Sequence, residues 1–346
     1  MGFILAVLII SFLINSISIV PFINLLYKLK FKRQFQITKD ALNKPTPIYD
    51  MYHKKKAGVP IGGGFLLIIS TTLIFLLMFP VMYFFWIPIT SIYPNIASEI
   101  KILLFTFISF GLIGLFDDIK KIFFGKKERF FGLSLKFKLL LEIIISLLVS
   151  YWLYSELKIS IINLPFFGVV EIGIAFILFA SFVIIAFANA FNITDGLDGL
   201  ASGVLLICLM AFWVISHSIL DTSLTLFIAI WLGGLLALLY FNIYPARIFL
   251  GDVGALSFGA SLAVIALLLG KAFSLIIIGG VFVVEIFTSL IQLISKKYTG
   301  KRIMKVAPLH LYLQEKGWHE STIVFRSWLA TFVLAIIGLW LAFISK

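Results

Sequence analysis

Apolar residues fill this chain in long unbroken runs, with short polar segments between them. Ten runs approach the roughly 20 residues that a bilayer-spanning helix needs. They cover about 3–27, 62–85, 100–116, 139–155, 170–188, 199–217, 224–243, 255–270, 273–295 and 325–345. The third is short, and the eighth and ninth nearly fuse at Gly270-Lys271. Phe, Leu and Ile occupy the runs without period-two alternation, which argues against a transmembrane β-barrel. The first run has no basic leader and no small-residue cleavage site, so it reads as a retained helix. The pattern predicts an all-α polytopic membrane protein of about ten transmembrane helices, forming one integral domain over 1–346.

Composition agrees. Of 346 residues, 62% are hydrophobic and 13% charged, against about 45–50% and 25% for a soluble domain. This excludes a water-soluble globule and a disordered chain, and the single cysteine, Cys208, excludes a disulfide scaffold. The net charge of +12 matters less than where it lies. The odd-numbered loops and their edges hold 24 of the 28 Lys and Arg residues, nine of them in loop one: Lys28, Lys30, Lys32, Arg33, Lys39, Lys44, Lys54, Lys55 and Lys56. Lys101, Lys158 and Lys271 lie in even loops, and Lys346 closes the chain. Such bias marks the cytoplasmic side of a cell membrane and places both termini outside. The charge thus points to the lipid bilayer as partner and not to nucleic acid.

Acidic residues gather on that same side. Asp117 and Asp118 open loop three, Asp195 and Asp198 lie in loop five, and Asp252 lies in loop seven. Adjacent carboxylates such as Asp117-Asp118 repel unless a cation or nearby lysines offset them. They form either a solvated helix end balanced by Lys120 and Lys121, or a pair for a hard cation such as Mg²⁺, which usually takes one or two carboxylates. The segment Asn189 to Ala201 offers two Asn, one Thr and two Asp between apolar spans. Asp195 and Asp198 could cap the sixth helix, but capping needs only one polar side chain. Polar groups in and near a membrane are expensive and tend to be functional. Gly196 and Gly199 would let backbone N–H groups approach an anionic or sugar ligand.

In Asn242 to Gly254, Arg247 and Asp252 could simply pair, yet an acid framed by Gly251 and Gly254 also suits metal or phosphate chemistry. His310, in Ala307-Pro308-Leu309-His310, shares a side with three acidic loops. Gly62-Gly63-Gly64, after Lys54-Lys55-Lys56, reads as a hinge, as close helix packing, or as room for a phosphate-bearing ligand. The lysines there would also attract anionic lipid. Glu142 and Glu285 lie inside helices without an obvious polar neighbour.

In this order the motifs resemble the polyprenyl-phosphate N-acetylhexosamine-1-phosphate transferase superfamily. They are Asp117-Asp118, Asn192 to Ala201, Phe249-Leu250-Gly251-Asp252, and Ala307-Pro308-Leu309-His310 with Lys316-Gly317-Trp318. Within it, Pro308-Leu309-His310 followed by Glu315-Lys316-Gly317-Trp318 is similar to the phospho-N-acetylmuramoyl-pentapeptide transferase family. The resemblance implies ten helices and a cytoplasmic active site in a bacterial inner membrane. It implies transfer of phospho-N-acetylmuramoyl-pentapeptide from UDP-MurNAc-pentapeptide to undecaprenyl phosphate, forming lipid I and UMP in peptidoglycan synthesis. It implies Asp117, Asp118, Asp252 and His310 as catalytic residues and Mg²⁺ at Asn192 and Asp252. Lys56, Lys121 and Lys138 would face phosphates, while Asn192, Asp195, Asp198, Asn242 and Phe249 would bind the sugar nucleotide. A homodimer is a candidate assembly.

Two departures touch nucleotide contacts and sugar specificity. Val59-Pro60-Ile61-Gly62-Gly63-Gly64 stands where the family commonly shows Thr-Pro-Thr-Met-Gly-Gly, and His310-Leu311-Tyr312 where it shows three histidines. A sibling transferase acting on UDP-N-acetylglucosamine is the alternative. A transporter using Asp117, Asp195, Asp198, Asp252, Glu142 and Glu285 is a third reading, disfavoured because polarity concentrates in the loops. On chemical grounds the acceptor phosphate, with a second pKa of about 6, is already a nucleophilic dianion. Direct attack with Asp117 as a modest base or orienting group is preferred to a phospho-aspartate.

Overall fold

The computed structural model describes residues 1–33, 45–54, 56–124 and 132–344. Lys39, Lys44, Lys55, Lys126 and Lys346 lie outside the described residues. Among the described residues, regular structure is helical apart from one hairpin and two isolated bridges. Helix α1 is Gly2–Lys28, and the short α2 is Pro47–Lys54. Helices α3 (Gly63–Phe84), α4 (Ile96–Ile119) and α5 (Leu135–Ser155) follow, with a π-helical turn, Lys120–Phe124, extending α4. After α5 the strands β1 (Ile161–Leu164) and β2 (Gly168–Glu171) pair antiparallel, Ile161 opposite Glu171. Helices α6 (Ala175–Thr194), α7 (Leu200–Ser218), α8 (Thr222–Asn242) and α9 (Gly251–Leu268) come next. The last are α10 (Ala272–Ile278), α11 (Gly280–Tyr298), α12 (Leu309–Glu315) and α13 (Glu320–Ile344).

Among the described residues, nine helices are long and apolar enough to cross a membrane, and α10 with α11 makes a tenth, broken candidate bent by 81°. The apolar pattern of 273–295 is blind to that bend. Gly279 stands at the joint, where a Cβ would press on the Phe187 ring and on the Leu275 carbonyl. Two other boundaries differ from the apolar runs. Val170 belongs to β2, so α6 starts only at Ala175. The third run is not short: α4 extends through Asp117 and Asp118, which are therefore buried in its last turn and not in a loop.

Helices α8 and α9 form the enclosed centre, and side chains such as Leu13, Leu77, Phe182 and Phe332 face outward as a lipid-exposed surface should. In hydrocarbon there is little hydrophobic drive between helices, so close packing and buried hydrogen bonds hold them together. Gly233 of α8 meets the Leu8 carbonyl so closely that a Cβ would overlap it. The Ser11 hydroxyl donates to the Ile230 carbonyl at 2.6 Å, and Ser70 donates to Asn15 at 2.8 Å, tying α1 to α8 and α3 to α1. The glycine triplet is likewise a packing device. Gly62 and Gly63 donate backbone N–H groups to the Phe249 carbonyl at 3.0 and 2.8 Å, and Gly64 to Leu250 at 3.0 Å. A Cβ on Gly64 would overlap the backbone of Gly254. The start of α3 is thereby locked onto the loop and first turn of α9.

Candidate active site

The end of α4, the start of α5 and the first turn of α9 converge on four charges. Lys121 pairs with Asp117 at 3.0 Å and with Asp252 at 2.7 Å. Lys138 pairs with Asp252 at 2.8 Å and with Asp117 at 3.3 Å. The other oxygen of Asp117 accepts the Leu133 backbone N–H at 2.7 Å. Two carboxylates and two ammonium groups thus neutralise one another at the ends of three candidate spans. The π-turn that carries Lys121 is a rare element that recurs at functional sites.

Asp118 does something different. Its carboxylate accepts the Val253 backbone N–H at 3.0 Å, so it caps α9 from another helix. Gly251 serves this contact: its φ is +78° and a Cβ would stand 2.6 Å from the Asp118 oxygen. The Asp252 side chain is thereby held at a fixed place on the first turn, at the positive end of the α9 dipole. Arg247 does not pair with Asp252; its guanidinium lies over the Phe241 ring, 5.3 Å from the centroid.

A second polar group lies beside the first. The buried Lys56 ammonium meets Asp198 at 2.6 Å, Glu320 at 2.5 Å and the Gly196 carbonyl at 3.2 Å. Asp198 also accepts the Ala246 backbone N–H at 2.9 Å, so it does not cap α7, whose cap is Gly199 at φ +80°. The Phe249 ring has Arg33 5.6 Å and Lys56 6.0 Å from its centroid. Asp195 connects the groups. Loss of water pushes its carboxyl up to about 7; Arg33 opposes this, Asp252 adds to it, Lys56 opposes and Asp198 adds. Asn192 has no side-chain hydrogen bond among the described residues. Asn242 is buried with both amide atoms engaged, accepting from Ser202 at 2.5 Å and donating to the Ile248 carbonyl at 2.9 Å. It holds the loop before α9.

His310 is buried in α12 and held by Glu285, whose Oε2 is 3.0 Å from Nδ1. Its ring abuts Gly196. Glu142 meets the Asn189 amide at 2.6 Å. Both intramembrane glutamates thus have polar partners after all, in or next to the candidate motifs. The reading that they stand alone is corrected: distant segments supply the partners. Of the two departures, Leu311 is buried and Ile61 packs beside Gly251. Both positions serve packing here.

Comparison with known proteins adds the decisive observation. Residues 100–270 match the family model described as Glycosyl transferase family 4. The chain is 36% identical to a phospho-N-acetylmuramoyl-pentapeptide-transferase of Clostridium acetobutylicum, with 98% of each chain covered. It is 36% identical to that of Clostridium perfringens over 92% of each, and to that of Bacillus mycoides over 96% of this chain and 95% of the relative. This chain belongs to the phospho-N-acetylmuramoyl-pentapeptide transferase family. Asp117, Asp252, Asp195, Asp198, Phe249 and His310 lie in the motifs that carry the resemblance, and Lys121 and Lys138 are residues that it puts at phosphates. Glu320, Glu285 and Arg33 lie outside those motifs, and reading the motifs alone misses them. Glu285 carried a usable signal, since an ionisable residue inside a span is a functional candidate by default. Glu320 carried none beyond its place in the first turn of α13.

Proposed function

We propose that the chain transfers phospho-N-acetylmuramoyl-pentapeptide from its UDP carrier to undecaprenyl phosphate, forming lipid I and releasing UMP. The supporting observation is the neutral cluster of Asp117, Lys121, Lys138 and Asp252 at the ends of three candidate spans, in a chain of this family. Phosphoryl transfer between two anions is chiefly positioning and charge neutralisation. Lys121 and Lys138 are ammonium groups held at fixed points, and substrate phosphates can share them with the carboxylates. The lipid phosphate, largely a dianion at neutral pH, attacks the phosphorus that bears the sugar. The bond from that phosphorus to the bridging oxygen breaks, and UMP leaves. Asp117, with both oxygens engaged, orients the lysines and the Leu133 backbone and does not serve as a covalent nucleophile.

The donor set also fits a divalent ion, Mg²⁺ in our reading. Asp252 and Asn192 are hard oxygen donors, and Mg²⁺ usually takes few protein ligands beside water and substrate phosphate. Such an ion would stabilise charge developing on the departing UMP. Lys56 and Phe249 would meet the nucleotide, with Asp195 and Asp198 nearby. The lysine-rich face would be cytoplasmic, in the bacterial inner membrane. A transporter reading loses its basis, because Glu142 and Glu285 are tied to Asn189 and His310 and do not line a path of their own. The test is UMP release by purified protein with undecaprenyl phosphate and either UDP-MurNAc-pentapeptide or UDP-N-acetylglucosamine. Turnover with the first donor is expected; turnover with the second alone would transfer the chain to a sibling activity.

A further inference from the structure

Glu285 lies in α11, outside the motifs that carry the family resemblance above, and is 3% exposed. It engages His310 three times. Its two oxygens lie 3.2 and 3.4 Å from the His310 backbone N, and Oε2 lies 3.0 Å from Nδ1. The carboxylate therefore fixes the first turn of α12 and the ring together. A carboxylate only accepts, so the hydrogen between it and the ring sits on Nδ1. In the neutral imidazole that leaves Nε2 as a bare acceptor. Nε2 is buried and has no hydrogen-bond partner among the described residues. It faces Gly196, between Asp195 and Asp198, where any larger residue would overlap it. A buried polar atom without a partner is unfavourable, and a bound ligand that supplies the partner removes that cost.

We propose that Glu285 is a positioning residue that sets the His310 tautomer, so that Nε2 accepts a hydrogen bond from a neutral donor group of the nucleotide, a hydroxyl or imide N–H. A phosphate oxygen, itself an acceptor, is the wrong partner for a bare Nε2. The inference rests on the transferase reading for its ligand but not for the tautomer. Glu285→Gln separates a tautomer role from a packing role. Its amide keeps the shape but offers one acceptor and one donor. With its oxygen on the His310 backbone N–H, its NH₂ faces Nδ1 and drives the ring hydrogen to Nε2.

The experiment is ¹⁵N-histidine NMR of the full chain in nanodiscs, with the four histidines separated by a His310→Gln control. We expect unprotonated Nε2 at His310, a shift of that signal on adding UMP, and none with inorganic phosphate. In Glu285→Gln we expect the opposite tautomer and kcat lower by about a hundredfold, the usual cost of a misplaced group, while the thermal midpoint stays close to wild type. Protonated Nε2 in the wild type, or an unchanged tautomer in Glu285→Gln, would overturn the positioning role. A signal that responds to inorganic phosphate, or not to UMP, would overturn the ligand assignment. The expected tautomers in a protein that releases no UMP would instead count against the transferase reading alone.

Discussion

At the lysine-rich end of α4, Asp117 shares Lys121 and Lys138 with Asp252. At its other end, Glu99 and Asp221 are equally buried, yet no lysine or arginine pairs with either among the described residues. Glu99 accepts from Ser91 at 2.6 Å and from Ser223 at 2.8 Å. Asp221 caps α8 through the Leu224 N–H at 3.0 Å, and Ser223 touches it at 3.1 Å. Neighbouring backbone bonds, such as Thr222 N–H to the Thr90 carbonyl at 2.9 Å, complete a knot between the 85–95 segment and α8. The difference is one of exchangeability. Ammonium groups held between carboxylates can turn to an incoming phosphate; hydroxyls and backbone N–H groups committed to caps cannot without opening the fold. Buried acid is therefore a poor sign of chemistry by itself, and its counter-charges are the better sign.

The largest effect should come from Asp252→Asn. It removes a carboxylate that holds both lysines, and turnover should fall by about 100–1,000-fold, with a higher Mg²⁺ requirement in the residual activity. Full turnover in excess chelator would contradict the metal role. Asp117→Asn should fall less and recover as pH rises, because the acceptor phosphate becomes more fully dianionic. A covalent nucleophile would lose activity at every pH and would exchange labelled UMP into the UDP-sugar without lipid.

At the opposite end the same kind of change should act on stability. Asp221→Ala should cost about 1–2 kcal/mol, as for a lost helix cap, in denaturation measurements in detergent. The kcat of the folded fraction should not change; a kcat loss larger than the folded fraction explains would blur the contrast between the ends. Asp195 should show its effect only in the pH dependence of stability. Its carboxyl sits at about 7 in the fold, so proton binding favours the folded state. That contribution is complete below about pH 4 and is lost as pH rises through about 7. Asp195→Asn should therefore flatten the fall of thermal midpoint between about pH 4 and pH 7, and parallel curves would refute the shift.

The spans were legible because hydrophobic runs are a one-dimensional signal, and lysine placement gives the sidedness that is proposed. The bend at Gly279, the hairpin around Gly168 and the true end of α4 were not, because each depends on packing or on pairing across a turn. For the site, Asp117, Asp252 and Asp195 stood out as acids near membrane boundaries. Asp118 looked equivalent to Asp117, and only the fold separates a trans cap from a charge partner. The loop contacts of the Asn242 amide, to Ser202 and Ile248, were not legible either, because they depend on the fold. Glu285 stood out only as a charge inside a span, and Glu320 not at all, since their partners lie 25 and 264 positions away.

Sidedness also allows the most direct test. Vesicles prepared inside-out and right-side-out, each supplied with membrane-impermeant UDP-MurNAc-pentapeptide, would show which end of α4 faces the donor. With the chemistry at Asp117 and Asp252 and the lysine-rich face inward, inside-out vesicles should release UMP and sealed right-side-out vesicles should release almost none. Comparable release from sealed right-side-out vesicles would put the working site on the Glu99–Asp221 side and contradict the account.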